Sequence, residues 1–301
     1  MEGRAGGAWR DSVLRDYLRR VWDNSGEDNI FFLAGGVAFS ILLAAVPFVL
    51  LLVSGLGYFL NLSPAASLSK ISVLVDRLLP PESGRMGNVV TGLMNEAIRV
   101  RGKVGVLSAV TFVWFSTRLF GSLRSVLAQV FDLDQERGIV EGKVFDVKVT
   151  VVAALAVVAY TILNAFLAIA TKNGAAMLAG VGVQAAAMSR VEYAGALVLE
   201  CCYVAAMFFA LYKFLPARPI RFKTAALAAL FGGVLLEIAK IVFTVYLRRF
   251  NPGSLYTGTL AAIVIVILWV YYASIIFILG GEVGQAYELR RVRRLQRAAL
   301  E

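Results

Sequence analysis

Long apolar runs separated by charged segments dominate the hydrophobic pattern of this chain. About 20 consecutive apolar residues are enough for one helix to cross a bilayer. Six such runs predict six transmembrane helices, with approximate limits 31–60, 104–131, 150–170, 194–215, 224–247 and 255–281. The pattern therefore predicts an all-α polytopic membrane protein with a transmembrane domain at 29–281.

The first apolar run is longer than one crossing requires. No charged residue occurs from Asn29 to Ser69. We interpret the run as one long helix kinked near Pro47, because proline removes a helical hydrogen bond and clashes with the preceding turn. The alternative is a re-entrant pair of segments broken at Pro47.

Polar segments on either side of the apolar runs also show helical spacing. In 1–28, apolar residues and arginines alternate with a helical period, which predicts an amphipathic helix that lies in the membrane interface or packs on the cytoplasmic ends of the bundle. In the loop 61–103, Pro80 and Pro81 separate two short amphipathic helices, which we place on the extracytoplasmic side. The tail 282–301 carries five arginines that suit anionic lipid headgroups.

Composition agrees with a membrane protein and assigns an orientation. Of 301 residues, 59% are hydrophobic, and the mean hydropathy is +0.75. The net charge of +10 would suggest a nucleic-acid partner in a soluble protein, but these cations lie mainly at the edges of apolar runs. Lys and Arg are concentrated in the two termini and in the second and fourth loops, so the positive-inside rule predicts that both termini are cytoplasmic. We expect membrane lipids, and not nucleic acid, as partners.

The sequence offers little for catalysis or for a cofactor. It contains no histidine, which removes the commonest general base and metal ligand. No phosphate-binding loop, nucleophile elbow or zinc-binding helix occurs, and we interpret the acids after Phe131 as a solvated loop. Cys201 and Cys202 are interpreted as small buried hydrophobes. We therefore expect no enzyme activity, no metal and no cofactor.

The fifth apolar run carries two charges at membrane depth. Between Lys223 and Arg248 the only charged residues are Glu237 and Lys240. A charge near the middle of a spanning helix costs roughly 2.5–3.5 kcal/mol on insertion scales, so a retained pair is a hypothesis for a functional site. Helical spacing places Thr244 on the same face as the pair.

Other polar residues inside the apolar runs predict an internal seam. On the second run, spacings of three and four place seven residues on one helical face, and Glu200 adds a carboxylate on the fourth run. Because lipid cannot satisfy polar groups, we expect a polar seam between the second, fourth and fifth helices. The seven residues of this stripe are Ser108, Thr111, Phe115, Arg118, Ser122, Ser125 and Gln129.

Two interpretations of these buried polar groups stay open. In the first, they bind a lipid or an amphipathic anion. In the second, they are structural ties between helices, with Glu237 and Lys240 neutralising each other. The candidate binding residues are Arg118, Ser122, Ser125, Glu200, Glu237, Lys240 and Thr244.

Four segments together resemble the YihY/BrkB family of bacterial inner-membrane proteins. They are AGGVAFSILLAAVPFVLLL, the run from Leu211 to Pro216, EIAKIVFTVYL from Glu237, and LYTGTLAAIVIVILWVYYASIIFILGGEV from Leu255. The resemblance covers nearly the whole chain, although Tyr256-Thr257-Gly258 stands where relatives often show Tyr-Gly. The positions that match the family's pattern are Pro47, Pro216, Lys240, Tyr246, Tyr256, Gly258, Trp269, Gly280 and Glu282.

The resemblance implies a six-helix protein of the bacterial inner membrane that is associated with envelope integrity and serum resistance. The family once carried the name ribonuclease BN, but RNA hydrolysis needs positioned acid and base groups or a metal site, which this sequence does not offer. We therefore favour a transporter or flippase-like protein for a lipid or amphipathic anion. A non-transporting scaffold for envelope maintenance is the alternative.

Overall fold

The structure is a computed structural model, and it describes residues 26–59, 101–133, 138, 140–157, 159, 185–250 and 259–298. These residues form helices, with no strand in the described ranges. The six helices are α1 Ile30–Phe59, α2 Arg101–Val130, α3 140–157, α4 Ala185–Phe214, α5 Phe222–Phe250 and α6 Thr259–Ala298. The predicted amphipathic helix in 1–28 and the predicted helices of the loop 61–103 lie almost entirely outside the described residues.

Two of the helices are long and apolar enough to cross a membrane. The qualifying segments are Phe222–Leu247 and Ile263–Ala298, and shorter apolar segments occur at Ile30–Ala45 and Cys201–Phe214. Helix α1 runs without a break through Pro47, which favours the single-helix interpretation of the first apolar run over a broken pair. Their helical backbone satisfies its own polar groups, which a segment in lipid requires.

Helix α6 organises the bundle. It packs against α1, α2 and α5, while α1 also packs along α2, and α4 packs along α5. The largest fully buried side chains include Leu127, Tyr212 and Ile278, which come from α2, α4 and α6. The main hydrophobic cluster of the described residues lies where α2 and α4 end and α5 begins, and a smaller cluster forms around Trp269.

Glycines allow the helices to approach closely around Tyr212. A Cβ atom built on Gly280 would overlap the Tyr212 hydroxyl, and one built on Gly232 would lie 2.8 Å from Phe208. The Tyr212 hydroxyl donates a hydrogen bond of 2.6 Å to the Phe277 carbonyl, and the two rings stack 5.1 Å apart. Small residues at these positions thus let an aromatic side chain join α4 to α6.

Helix α2 ends in a Schellman motif. The backbone N–H of Leu133 donates to the Ala128 carbonyl, and that of Asp132 donates to the Gln129 carbonyl. Asp132 has φ 47°, a left-handed conformation that glycine usually adopts and that Asp tolerates better than most residues. The chain turns sharply here, and the Asp132 carboxylate accepts a 2.6 Å hydrogen bond from Gln285 of α6.

Several helices extend beyond the predicted spans. Helix α3 begins at residue 140 instead of 150, and α4 begins at Ala185 instead of 194. Helix α6 continues to Ala298, through most of the segment predicted as a basic tail. The hydropathy pattern could not show these extensions because charged residues such as Glu141 and Lys143 resemble a loop.

Candidate functional site

The charged pair of α5 forms a direct bond within one helix. Lys240 Nζ donates to Glu237 Oε1 at 2.8 Å, and the side chains of Lys240 and Glu237 are 12% and 26% exposed. The Thr244 hydroxyl donates to the Lys240 backbone carbonyl at 2.7 Å. The predicted grouping of Glu237, Lys240 and Thr244 on one face is therefore present, with the cation as its most enclosed charge.

This polar face lies beside α4. Gly233 continues the face by one turn, and a Cβ atom placed on it would lie 3.9 Å from the Ala205 Cα atom. Consecutive helices joined by a short turn run antiparallel. The six residues from Ala205 back to Glu200 therefore lie beside the six from Gly233 to Ile238. The backbone of position 200 is thus level with the ion pair, while the Glu200 side chain lies outside the description.

An aromatic cavity opens at the same turns of α5, on its side toward α6. It has a volume of about 540 Å³. Phe243 packs on Trp269 with ring centroids 5.3 Å apart. The remaining walls of the cavity are apolar or aromatic, so the cavity suits a hydrocarbon group and offers few partners to a polar one. The lining residues are Ala239, Val242, Phe243, Tyr246, Leu268, Trp269, Tyr272, Ile275 and Ile276.

The predicted single seam between the second, fourth and fifth helices is wrong for the part that belongs to α2. Helix α2 packs mainly against α1 and α6, whereas α5 packs against α4 and α6. Arg118 is exposed and lines a groove with Lys143 of α3, away from Lys240. The stripe spacing was sound, but helical periodicity states only that residues share a face and cannot state which neighbour that face meets.

The C-terminal part of the polar stripe on α2 faces α1. Ser122, Ser125 and Gln129 line a cavity of about 470 Å³ together with residues of the first turns of α1. Gln129 Nε2 lies 3.3 Å from both the backbone carbonyl and the carboxylate of Asp28. Ser122 and Ser125 therefore belong to the contact between α1 and α2, and the structure does not bring them to the α5 pair.

A second charged pair, which the sequence analysis missed, joins α2 to α3. Arg124 Nη2 lies 3.4 Å from Asp146 Oδ2, and the Asp146 side chain is only 1% exposed. Each charge rests on a glycine of the other helix: a Cβ atom on Gly142 would lie 2.5 Å from the Arg124 guanidinium, and one on Gly121 would lie 3.6 Å from the Asp146 carboxylate. The spacings Gly121-x-x-Arg124 and Gly142-x-x-x-Asp146 are visible in the sequence, but nothing in the sequence indicates that these two segments meet.

Most family-pattern positions within the description have packing roles. Gly280 accommodates Tyr212, and Trp269 is 5% exposed between Phe243 and Leu247. Pro216 is buried just after α4, and Tyr246 contacts Phe243. Tyr256 and Gly258 lie outside the described residues.

Three further side chains lie where the sequence did not predict them. Glu282, a family-pattern position that directly follows the sixth apolar run, is 0% exposed and lies inside the bundle on α6. Cys201 and Cys202 are both exposed on α4, so their prediction as buried hydrophobes is wrong. An apolar helix that faces lipid tolerates exposed thiols, which hydropathy cannot distinguish from buried ones.

Comparisons with known proteins identify the family. A family model described as "Virulence factor BrkB" matches residues 21–300. The chain belongs to the BrkB family. The resemblance found in the sequence is thus confirmed, and the protein is a helical membrane protein of this family.

Relatives of this BrkB-family chain are also described as membrane proteins. It is 25% identical over 292 residues to a UPF0761 membrane protein of Pseudoalteromonas atlantica, covering 93% of this chain and 91% of the relative. It is 24% identical over 271 residues to one of Pelodictyon phaeoclathratiforme, covering 90% of this chain but 60% of that relative. A Vibrio atlanticus relative is 39% identical over 79 residues, covering 26% of this chain and 25% of the relative. No solved structure matches the chain.

Proposed function

We propose that this BrkB-family protein crosses the bacterial inner membrane six times with both termini in the cytoplasm, and that it moves or holds a lipid or amphipathic anion. The apolar helices α5 and α6 support the membrane-spanning architecture, and the distribution of Lys and Arg supports the orientation. Arginines near the end of α6 would meet anionic headgroups at the cytoplasmic surface.

The observation that carries the proposal is the Lys240–Glu237 pair in the interior of an otherwise apolar segment. The bond lies within one helix. Keeping two charges at membrane depth has a cost of several kcal/mol, whereas an i, i+3 pair stabilises its helix by only about 0.2–0.5 kcal/mol. Charges retained at that cost support a role in binding.

The chemistry of the α5 face suits an amphipathic anion. Lys240 presents a cation that Glu237 holds in place, so an entering anion would exchange with the carboxylate instead of approaching an uncompensated charge. The aromatic cavity formed by Phe243, Tyr246 and Trp269 lies on the same turns and would take the hydrocarbon part. No covalent chemistry is required of these groups, and the proposal assigns the protein no enzyme activity.

A flux measurement tests this proposal. Purified protein would be reconstituted in liposomes with fluorescently labelled phosphatidylglycerol, and its movement between leaflets followed by chemical quenching of the outer label. We expect Lys240→Ala and Lys240→Gln to abolish protein-dependent movement while the protein stays folded. The control is Ile241→Ala, the exposed apolar residue that follows Lys240. Normal movement in both lysine variants would exclude the transport role for Lys240.

The alternative is a non-transporting scaffold in which the pair only neutralises itself, and the short 2.8 Å bond gives it support. In that case Glu237→Ala and Lys240→Ala would each destabilise the protein, and the double variant would regain both stability and envelope function, since no single charge is left behind. Under the transport proposal each single variant stays nearly as stable as the native protein, and the double variant still fails in lipid movement. Measuring unfolding and movement on the same three variants separates the two functions.

A further inference from the structure

A groove between α2 and α3 combines two cations with an apolar wall. It has a volume of about 730 Å³, within the usual range for ligand sites. Arg118 and Lys143 supply the charges, and Trp114, 65% exposed, supplies the largest apolar surface. The remaining lining residues are Ala109, Val110, Val113, Thr117 and Val147.

The polar and apolar parts of the groove lie at opposite ends. Helices α2 and α3 run antiparallel, because Arg124 meets Gly142 and Gly121 meets Asp146. Lys143 and Arg118 therefore lie toward the connection between the two helices, while the wall from Trp114 to Ala109 extends away from it. At 1.5 Å per residue, the nine residues from Arg118 to Ala109 span about 13 Å, close to half of a hydrocarbon core about 30 Å thick.

The two cations lack an acidic partner in the described part of the chain. No described carboxylate lies within 4.0 Å of Arg118 or Lys143, in contrast to Arg124 and Lys240, which have one each. Arg118 lies 12 residues before the end of α2, so it is far from the helix terminus. In a membrane-spanning α2, an exposed guanidinium at this position would lie inside the hydrocarbon region, which is costly unless an anion or water reaches it.

We propose that this groove binds one anionic phospholipid, with its phosphate between Arg118 and Lys143 and an acyl chain along Trp114, Val113 and Val110. A diester phosphate matches the donors of a guanidinium and an ammonium. A choline headgroup would bring a second cation toward Lys143, so a zwitterionic lipid fits less well. The groove is distinct from the α5 face, and the argument from the depth of Arg118 in the membrane rests on the proposed topology.

Trp114 provides a direct measurement of occupancy. Liposomes would contain phosphatidylglycerol or phosphatidylcholine with brominated acyl chains, which quench tryptophan on contact. The chain has four tryptophans, so the signal of Trp114 is the difference between the native protein and Trp114→Phe. We expect brominated phosphatidylglycerol to quench Trp114 at lower mole fraction than brominated phosphatidylcholine. Equal quenching by the two lipids would overturn the proposal.

Charge variants locate the headgroup. Arg118→Ala and Lys143→Ala should each raise the phosphatidylglycerol fraction for half-maximal quenching about fivefold, the effect of about 1 kcal/mol per cation. Together they should remove the difference between the lipids. The matched control is Lys148→Ala, an exposed lysine of α3 that lines a different cavity. An equal loss in the control would show a general surface-charge effect and would contradict the site.

Two further arms complete the test. Glycerophosphoglycerol, the water-soluble headgroup, should not displace the lipid, and efficient displacement would indicate a phosphate site without an acyl chain and overturn the lipid assignment. Lys240→Ala should retain preferential quenching, so failure of the α5 proposal and failure of the groove proposal are distinguishable. If the double alanine variant unfolds, Arg118→Gln with Lys143→Gln and the lipid contrast in the native protein decide the outcome.

Discussion

Two ion pairs of this protein, Arg124–Asp146 and Lys240–Glu237, differ in what they connect. Arg124–Asp146 joins α2 to α3 at 3.4 Å, with an almost fully buried carboxylate. Lys240–Glu237 joins two residues of α5 at 2.8 Å, with its carboxylate 26% exposed. The first pair bridges two helices, while the 2.8 Å bond of the second lies within one helix. Variants of the two pairs therefore test which of these charges is structural and which is functional.

Breaking the pair between helices should have the largest effect on stability. Asp146→Ala leaves the Arg124 cation, 20% exposed, beside apolar side chains. Removing one partner of a buried pair typically costs about 3–5 kcal/mol, and we expect about 3 kcal/mol here. Denaturant unfolding in mixed micelles would measure it. Glu141→Ala, which removes an exposed acid from the same helix, should change the free energy of unfolding by less than about 0.5 kcal/mol.

Filling the glycine beneath the guanidinium should have an intermediate effect. The new methyl group in Gly142→Ala would lie 2.5 Å from Arg124 Nη1, so the guanidinium must move away from its position. We expect a loss of about 1–2 kcal/mol in the same unfolding measurement, typical of overpacking. The control is Gly121→Ala on the partner helix, where the added atom makes an ordinary 3.6 Å contact. Equal stability of the two variants would contradict the described contact.

Removing the cation within α5 should affect stability little. A pair at i and i+3 stabilises a helix by about 0.2–0.5 kcal/mol. The Glu237 side chain is 26% exposed in the native structure, so its charge is not fully enclosed when the lysine is removed. We therefore expect Lys240→Ala to lower the free energy of unfolding by no more than about 1 kcal/mol while abolishing lipid movement. A loss as large as that of Asp146→Ala would place both pairs in the same structural class.

Exchanging the two residues of the α5 pair gives the smallest expected change in stability. Glu237→Lys with Lys240→Glu keeps both charges and the spacing but moves the cation by almost one turn. Orientation changes a helical pair by a few tenths of a kcal/mol, so unfolding should be nearly unchanged. If Lys240 binds an anion, the exchanged protein should fail in lipid movement, and full activity would show that neutralisation alone is needed.

The contrast between α5 and α3 shows how much of the fold was predictable. The α5 span was predicted at 224–247, and the helix covers Phe222–Phe250, since a long apolar run flanked by cations has one stable solution in lipid. The start of α3 was missed by ten residues because its first turns carry Glu141, Lys143, Asp146 and Lys148. Asp146 is tolerated there because Arg124 of another helix neutralises it, and hydropathy cannot register a partner from elsewhere in the chain.

The candidate site was also predictable only in part. The grouping of Glu237, Lys240 and Thr244 depends only on the helical period, and the structure retains it. The stripe on α2 followed the same rule, yet its residues meet two different neighbours: Gln129 reaches Asp28 near the start of α1, whereas Arg118 meets the groove beside α3. Lys143 became a candidate only through that groove.

The sequence by itself determined the helical membrane architecture, the family and the face that carries the α5 charges, because hydropathy and helical periodicity are local properties. Only the tertiary structure decided that Arg118 lies away from Lys240, that Asp146 is paired, and that Glu282 is enclosed in the bundle. Those outcomes depend on the rotation and register of one helix against another. They are set by close contacts such as Gly280 with Tyr212 and Gly142 with Arg124, which no single segment contains.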